Sequence, residues 1–596
     1  MTTLNTDTAP LTYRQRILKR KASLWKERSG WEPRWRGVSD YLLPFAGRFM
    51  VTDRNRGSRS FNNILDSSAT RALRVMSAGM MSGMTSPARP WFRLETSDKD
   101  LMESMAVVRW LADVTQLIRD VFHRGNTYRA LHTMYEELGA FGTAVDIIVP
   151  DFESVIWHHP LTVGEYAVAT DHRGVVNTLM RNYEMTVEQV VMEFVAPGDY
   201  GGKPAWDAVS PRIKNLWDSH NYDAGVEVIH LIEPRAMRDR DLRGYARRLP
   251  KNLPFKSCYI EAAGDGDKIL RESGFKDFPA LCPRWHTRGG DVYGVGPGME
   301  ALGDIKQLMQ EQLRKAQGID YMARPPVVIP AELKGREADT LPGGVNYFNI
   351  SSANAKIQNL FDVRIDLQHL LADIQDVRGR IDSHFYADLF LMISQDNRST
   401  PATATEIAER HEEKLLMLGP VLERLHDEMI SPLIDITFRR LLEAGALPPP
   451  PPEMEGVDLK VEFVSVLAQA QRAVGLGAID RLIGTVQALA TASGDPSVWD
   501  KINKDETVEH YADMLAVDPE LIVSDDEARA VRDARAQQQA QQASLAAAPE
   551  MASAAKDMAT ARATAQALPA SSGGFPPEES AGVPSGSISQ FTGYQP

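Results

Sequence analysis

Several clusters in this chain hold the residue types that phosphate, metal or proton-transfer chemistry requires. Gly294, Gly296 and Gly298 are spaced like the turn of a dinucleotide site, where bare backbone approaches a pyrophosphate at a helix start. Pro297 interrupts that fingerprint and no clear βαβ unit surrounds it, so nucleotide binding is not the expected role. Gly202-Lys203 is followed by Pro204 rather than Ser or Thr, which rules out a Walker A loop. His158-His159 could ligate a metal, but no further ligands are spaced to complete a site, and a loop or surface pair is expected. His411-Glu412-Glu413 and His426-Asp427-Glu428 read as acid–base strings. On a helix, however, neighbours point about 100° apart, so neither trio converges on one atom and both are expected to be solvated faces. Asp265-Gly266-Asp267 lacks the other oxygen ligands of a calcium loop and reads as a turn. No nucleophile–base–orienter set emerges, and no catalytic residue, metal or cofactor is expected.

The order of elements is more informative. After Tyr293-Gly294-Val295-Gly296-Pro297-Gly298, Leu302, Ile305, Leu308, Met309 and Leu313 recur at helical spacing. Gly303, Gln307, Gln310 and Arg314 occupy the opposite, nearly uncharged face. Arg324-Pro325-Pro326 ends this helix, since proline lacks an amide proton and restricts the residue before it. Two β-branched or aromatic clusters follow, Val327-Val328-Ile329 and Val345 to Ile350 with Tyr347 and Phe348. Pro342-Gly343-Gly344 lies between them, so the segment reads as short strands with a turn. The helical period resumes with Leu367, Leu370, Ile374, Val377, Ile381 and Phe385. A polar loop, Ser394 to Thr400 with Gln395, Asp396, Asn397 and Arg398, precedes a long helical stretch from about Ala402 to Ala444. Pro420 and Pro432 should kink that stretch, and Pro448 to Pro452 form a stiff connector.

Composition bounds the class. The 596 residues suggest several modules, and 43% hydrophobic content is enough for a substantial core. Cys258 and Cys282 are far apart and form no CxxC pair, so disulfide stabilisation is not expected. The amino terminus lacks a signal-sequence pattern, and the longest apolar run, near Leu389 to Ile393, is too short to cross a bilayer, so no membrane partner is expected. The net charge of −14 argues against a protein that grips duplex DNA. Charge is uneven: residues 1–60 hold thirteen Lys or Arg against five Asp or Glu, a net of +8 that leaves −22 elsewhere. The cluster Arg14, Arg16, Lys19, Arg20, Lys21, Lys26 and Arg28 suits contact with DNA or an acidic neighbouring subunit, but better suits a solvated amphipathic helix whose Trp residues, Trp25, Trp31 and Trp35, pack inward. Met76, Met80, Met81 and Met84 read as helix packing.

These strings resemble the head-to-tail connector, or portal, proteins of short-tailed bacteriophages. The resemblance is carried by YGVGPGMEALGDIKQL from Tyr293, ARPPVVIP from Ala323, ATATEIAERHEEKLLMLGPVLERL from Ala402, LPPPPPE from Leu447, and LDSSATRALRVMSAGMMSGMTSPARPWFRL from Leu65. In the family's order they cover most of residues 10–530. The resemblance implies an α+β, mainly α-helical subunit in a closed ring of about twelve copies at one capsid vertex. Double-stranded DNA would pass through that ring without sequence recognition. Residues 1–296 would then be the amino-terminal wing, 297–322 and 364–388 the stem helices, 323–363 the clip, and 389–401 the tunnel loop. Residues 402–466 would be the kinked spine and return to the wing, 467–530 the helical crown, and 531–596 an Ala/Gln-rich extension and tail.

On this reading Gln307, Gln310, Arg314, Asp376 and Ser383 face the tunnel, with an outward or inter-subunit position as the alternative. Gln395, Asp396, Asn397 and Arg398 are the residues nearest DNA. Val327, Val328, Ile329, Val345, Tyr347, Phe348 and Ile350 belong to the docking surface for the terminase large subunit and tail adaptor or nozzle proteins, with their strands pairing to neighbours to cover exposed edges. Major capsid and scaffold proteins are further implied partners, and internal core proteins are candidates for the tail. The setting is the portal vertex of the virion, and the host cytoplasm during assembly. A nuclease would need a clustered acidic metal site, and a coiled-coil scaffold a sustained heptad with no β insert. Neither pattern is present in the sequence.

Overall fold

A computed structural model describes residues 11–52, 63–96, 104–196, 203–243, 248–264, 267–323, 367–394 and 418–454, with short pieces at 98, 101, 246, 327–328, 358–359, 459–463, 479, 482–492, 496–503, 506–508, 511, 523, 528–540, 556 and 558–560. The chain forms two compact units, Met1–Val498 with Met514–Ala516, and Trp499–Asp513 with Val517–Pro596.

The first unit starts with α1 (Tyr13–Arg28), fixed at its start by a capping box between Thr12 and Gln15. It is followed by α2 (Glu32–Tyr41), α3 (Ser68–Met84), β1 (Phe92–Thr96), α4 (Met105–Arg124) and α5 (Thr127–Phe141). Next come β2 (Val145–Asp151), β3 (Val155–Leu161), β4 (Tyr166–Thr170), β5 (Val176–Thr186), α6 (Val187–Phe194), α7 (Pro211–Asp218), β6 (Gly225–Pro234), β7 (Phe255–Glu261), β8 (Arg271–Phe275) and β9 (Ala280–Leu281). A helical turn, Pro297–Glu300, leads into α8 (Leu302–Ala323). Beyond it lie β10 (Val327–Val328), β11 (Gln358–Asn359), α9 (Leu367–His384), α10 (Ala387–Ser394), α11 (Ser431–Ala444) and β12 (Leu459–Phe463).

All named strand pairs are antiparallel. β4 to β8 form one five-stranded sheet in sequence order, β2 lies between β3 and β9, and β1 pairs with β12 from Phe92–Phe463 to Thr96–Leu459. The latter pairing returns the chain after α11 to an element more than 350 residues earlier in sequence. β10 and β11 pair at Val327–Asn359 and Val328–Gln358.

The main core unites α2, α3, α4, α5, β2 and β3 with α8 to α11. Met76, Met80 and Met84 are fully buried on one face of α3, as their four-residue spacing suggests. Trp35 is fully buried against Tyr293, with ring centroids 5.1 Å apart. A second core lies under α6 and α7, and a third lies where Ile17 and Leu24 of α1 meet the five-stranded sheet. Cys258 and Cys282 are buried free thiols whose pKa values burial raises. Among the described residues no helix is long and apolar enough to cross a membrane.

Several local expectations change. The helix through Phe385 does not continue smoothly: Tyr386 adopts φ 53°, a new helix begins at Ala387, and helical backbone extends to Ser394, into the 389–401 segment expected as the tunnel loop. Near Pro432 the regular helix gives way to another winding. A π turn, His426–Ile430, precedes the proline and widens the helix just before the residue that has no amide proton to donate. Gly445 then ends α11 at φ 65°, the left-handed cap that glycine accepts without strain. In the second unit, residues 528–540 are helical with exposed side chains along nearly the whole length. The first part of the Ala/Gln-rich extension therefore takes the helix that alanine favours.

Candidate functional site

The hairpin of α8 and α9 starts where the glycine string crosses α5. Gly142 caps α5 at φ 74°, and a Cβ on Gly296 would lie 2.6 Å from the Leu138 carbonyl oxygen and 2.7 Å from the Gly142 Cα. The glycines therefore serve close backbone packing at the root of α8, and the motif's dinucleotide-like spacing has a structural cause.

Ile305 and Leu308 on α8, and Ile374, Val377, Ile381 and Phe385 at or beside α9, are at most 1% exposed. Leu313 departs from the expected apolar face and is 46% exposed. The two helices are also tied by charge: Asp304 of α8 lies 3.0 Å from Arg380 and 3.4 Å from His384 of α9.

One carboxylate joins the hairpin to the rest of the unit. Asp66 Oδ1 accepts from the Ser68 amide at 2.8 Å and the Ser68 hydroxyl at 2.5 Å, at the start of α3. Its Oδ2 accepts from Gln312 Nε2 on α8 at 2.7 Å, and from Arg378 Nη2 and Nε on α9 at 2.7 and 3.2 Å. Burial alone would raise this carboxyl's pKa, but the donors from Ser68, Arg378 and Gln312 outweigh it and bring the value down to about 2.

The expected site residues divide into three groups. Gln307, Gln310 and Arg314 are exposed on one side of α8, together with Gly303, Gln317 and Tyr321 at three- and four-residue steps. Gln307 Nε2 also donates to the buried Glu311 at 2.7 Å. On α9, Asp376 and Ser383 are exposed, and Asp376 pairs with Arg380 at 3.4 Å. A neighbouring row of exposed α9 residues, Gln368, Ala372, Gln375, Gly379 and Ser383, holds no charged side chain. Val327 and Val328 lie in β10, paired to β11. Gln395, Asp396, Asn397, Arg398, Ile329, Val345, Tyr347, Phe348 and Ile350 lie outside the described residues, as do His411 to Glu413 and Gly202.

Two constellations escape a linear reading. His158 is not a surface residue. It is 1% exposed, with Nδ1 2.5 Å from Asp146 Oδ2 and Nε2 3.0 Å from Thr127 Oγ1. Asp, His and Thr thus stand in the order of an orienter, a base and a nucleophile, contrary to the expectation that no such set exists. All three are essentially inaccessible, so as folded they join α5 to β2 and β3 and have no room for a substrate. His159, by contrast, is exposed.

Glu428 likewise departs from the solvated face expected of His426 to Glu428. Its carboxylate accepts from the Arg284 backbone N at 2.9 Å, Nη2 at 2.5 Å and Nε at 3.2 Å, while Arg284 also donates to the Gly174 carbonyl at 2.8 Å. No sequence motif reveals either group, since their members lie 12 to 144 positions apart on different elements. Among the described residues no cluster of three or more His, Cys, Asp or Glu is arranged to hold a metal.

The family model for bacteriophage head to tail connecting proteins matches residues 14–523. The chain is 54% identical over 540 residues to a probable portal protein of Bordetella phage BPP-1, covering 90% of this chain and 94% of that one. It is 41% identical over 529 residues to the portal protein of Salmonella phage epsilon15, covering 88% and 92%. Among solved structures, the neck of an empty gene transfer agent particle matches over 80% of this chain and 96% of its own, at 12% identity and a TM-score of 0.33.

Proposed function

The chain belongs to the bacteriophage head-to-tail connecting protein family, and from that membership we propose that it is a portal: the ring at one capsid vertex through which double-stranded DNA is packaged and ejected. The observation that carries the reading to particular residues is the exposed surface of the α8–α9 hairpin, where two rows of Gly, Gln, Ala, Ser and Tyr carry one charge, Arg314, and lie beside the exposed Asp376–Arg380 pair.

The charge density of duplex DNA explains why such a surface suits passage. A helix of 22 residues is about 33 Å long and would face about twenty phosphates, one per 1.7 Å of duplex. Even six to ten basic contacts would bind that duplex tightly and slow it, whereas uncharged polar groups let it slide. We place Gln307, Gln310, Arg314, Asp376 and Ser383 on the tunnel side, and Gln395, Asp396, Asn397 and Arg398 nearest the DNA. The β10–β11 pair supports a small β module between the helices. We assign to that module, with Val327, Val328, Ile329, Val345, Tyr347, Phe348 and Ile350, the docking of terminase and tail proteins. The role is that of a conduit and platform, and the energy for translocation comes from a separate ATPase.

Native mass spectrometry of the purified protein, with electron microscopy of the same sample, tests this reading. The expected species is a ring of about twelve 66.1 kDa subunits whose axial hole admits a duplex about 20 Å wide. A compact monomer that cleaves DNA in a metal-dependent way, or that stays monomeric when capsid and scaffold proteins are supplied, would overturn it.

A further inference from the structure

Resting on the conduit reading, we infer that Asp66 is a positioning residue that fixes the tilt of the α8–α9 hairpin against α3, and thereby the bore of the ring. Its two oxygens are divided between two bodies: Oδ1 holds the amide and hydroxyl of Ser68 at the start of α3, while Oδ2 holds Gln312 of α8 and Arg378 of α9. A single group therefore registers three helices. The amides of Leu65 and Asp66 also lie 3.1 and 3.4 Å from the sulfur of Met309, so the chain entering α3 rests directly on α8.

Among the described residues, the other ties between the hairpin and α3 are less directional. Ile305, Leu308, Ile374, Val377 and Ile381 hold the base of the hairpin by apolar burial, which is non-directional and tolerates small changes in angle. Asp304 joins α8 to α9 only. Arg71 and Asp382 link α3 to α9 at 3.9 Å, but Arg71 is 70% exposed, and such a pair contributes little. The Arg378 fork on a nearly buried carboxylate is short and directional by comparison. Farther along the hairpin from this point, Leu313, Ile319 and Leu371 are all more than 40% exposed, so Asp66 stands where the chain's own cover of the hairpin thins out.

The test uses Asp66→Asn and Arg378→Lys in the full chain. Asparagine keeps the shape but has one acceptor oxygen, so that oxygen can accept from Ser68 of α3 or from Arg378 of the hairpin, not both, and the charge is lost. Lysine keeps the charge but loses the fork. Hydrogen exchange should rise about tenfold in peptides from residues 313–323 and 367–377 for Asp66→Asn and less for Arg378→Lys, with α5 unchanged, because a charge-assisted hydrogen bond that closes the local opening is lost. Rings of Asp66→Asn should keep their subunit number and show a changed or broadened bore by electron microscopy. Unchanged hairpin exchange, or an equal rise in α5, would overturn the inference, as would a wild-type bore in rings of the variant. The exchange measurement works on rings or free subunits, so it reads the anchor even if wild-type rings prove to have no axial hole, a result that would instead count against the conduit.

Discussion

The two regions most suggestive of nucleic-acid contact, α1 and the α8–α9 hairpin, use charge in opposite ways. α1 is dense in Arg and Lys, yet the chain itself takes up much of that charge. Arg14 donates to the carbonyls of Glu261 and Ala262, Arg20 and Lys21 pair with Glu233 and Glu227, and Arg28 is 3% exposed with its guanidinium on the carbonyls of Gly164 and Tyr166. Trp25 lies beneath Arg28, 4.4 Å from its guanidinium carbon. The hairpin's charges are nearly balanced in sign, five basic against six acidic, and it leaves two largely uncharged polar rows exposed. A basic run in sequence thus marks where a helix is fastened to its sheet, whereas the rows proposed to face DNA are short of basic groups.

The strongest way to break this contrast is Arg28→Ala. If Arg28 is structural, its loss leaves two buried carbonyls without donors and should cost about 3 kcal/mol, read as a lower unfolding midpoint. A variant of wild-type stability but weaker DNA binding would instead return α1 to a nucleic-acid role. Acid titration gives a smaller effect for the hairpin. Asp66 has a folded pKa of about 2 against 3.8 in the reference state, so its contribution is fully present above pH 3.8 and is lost as pH falls toward 2. Asp66→Asn should therefore flatten the acid limb of an unfolding curve between those values, and an unaltered limb would contradict the geometry of the anchor.

Removing the outer charges of α1 should matter less. Arg20→Gln with Lys21→Gln is expected to cost about 0.5 kcal/mol, with the difference shrinking at high salt, because both pairs are partly exposed. The smallest change in stability is expected on the hairpin itself. Gln310→Lys should shift the unfolding midpoint by less than about 0.5 kcal/mol, since Gln310 is exposed. It should nevertheless slow DNA passage at low salt and make retention more salt-dependent, which single-particle packaging rates would detect. Packaging that is insensitive to Gln310→Lys would place this row between subunits and away from the tunnel.

Much of the hairpin was legible because its information is local. The three- and four-residue steps of Ile374, Val377, Ile381 and Phe385 specify one helical face, and that face is buried. The same rule failed for Leu313, because periodicity shows that a face is apolar but not how far its partner extends. The break at Tyr386 had no Gly or Pro to announce it. His158 looked like half of a surface pair because its strand partners were unknown, and Glu428 looked solvated because Arg284 lies 144 residues away.

From its own residues, then, the chain settles the helical periods of α8 and α9, the nearly uncharged face of α8, and the absence of a Walker A sequence at Gly202-Lys203. These depend on interactions within a few turns of backbone, where spacing alone fixes which side chains share a face. Folding decides which charges are consumed. Arg28 turns inward onto β4, Asp66 divides its oxygens between α3 and the hairpin, and Thr127, His158 and Asp146 close into a buried array. The reason is that burial and hydrogen-bond geometry belong to contacts between segments distant in sequence, and the cost of an unpaired buried polar group, which selects those contacts, exists only once the segments have met.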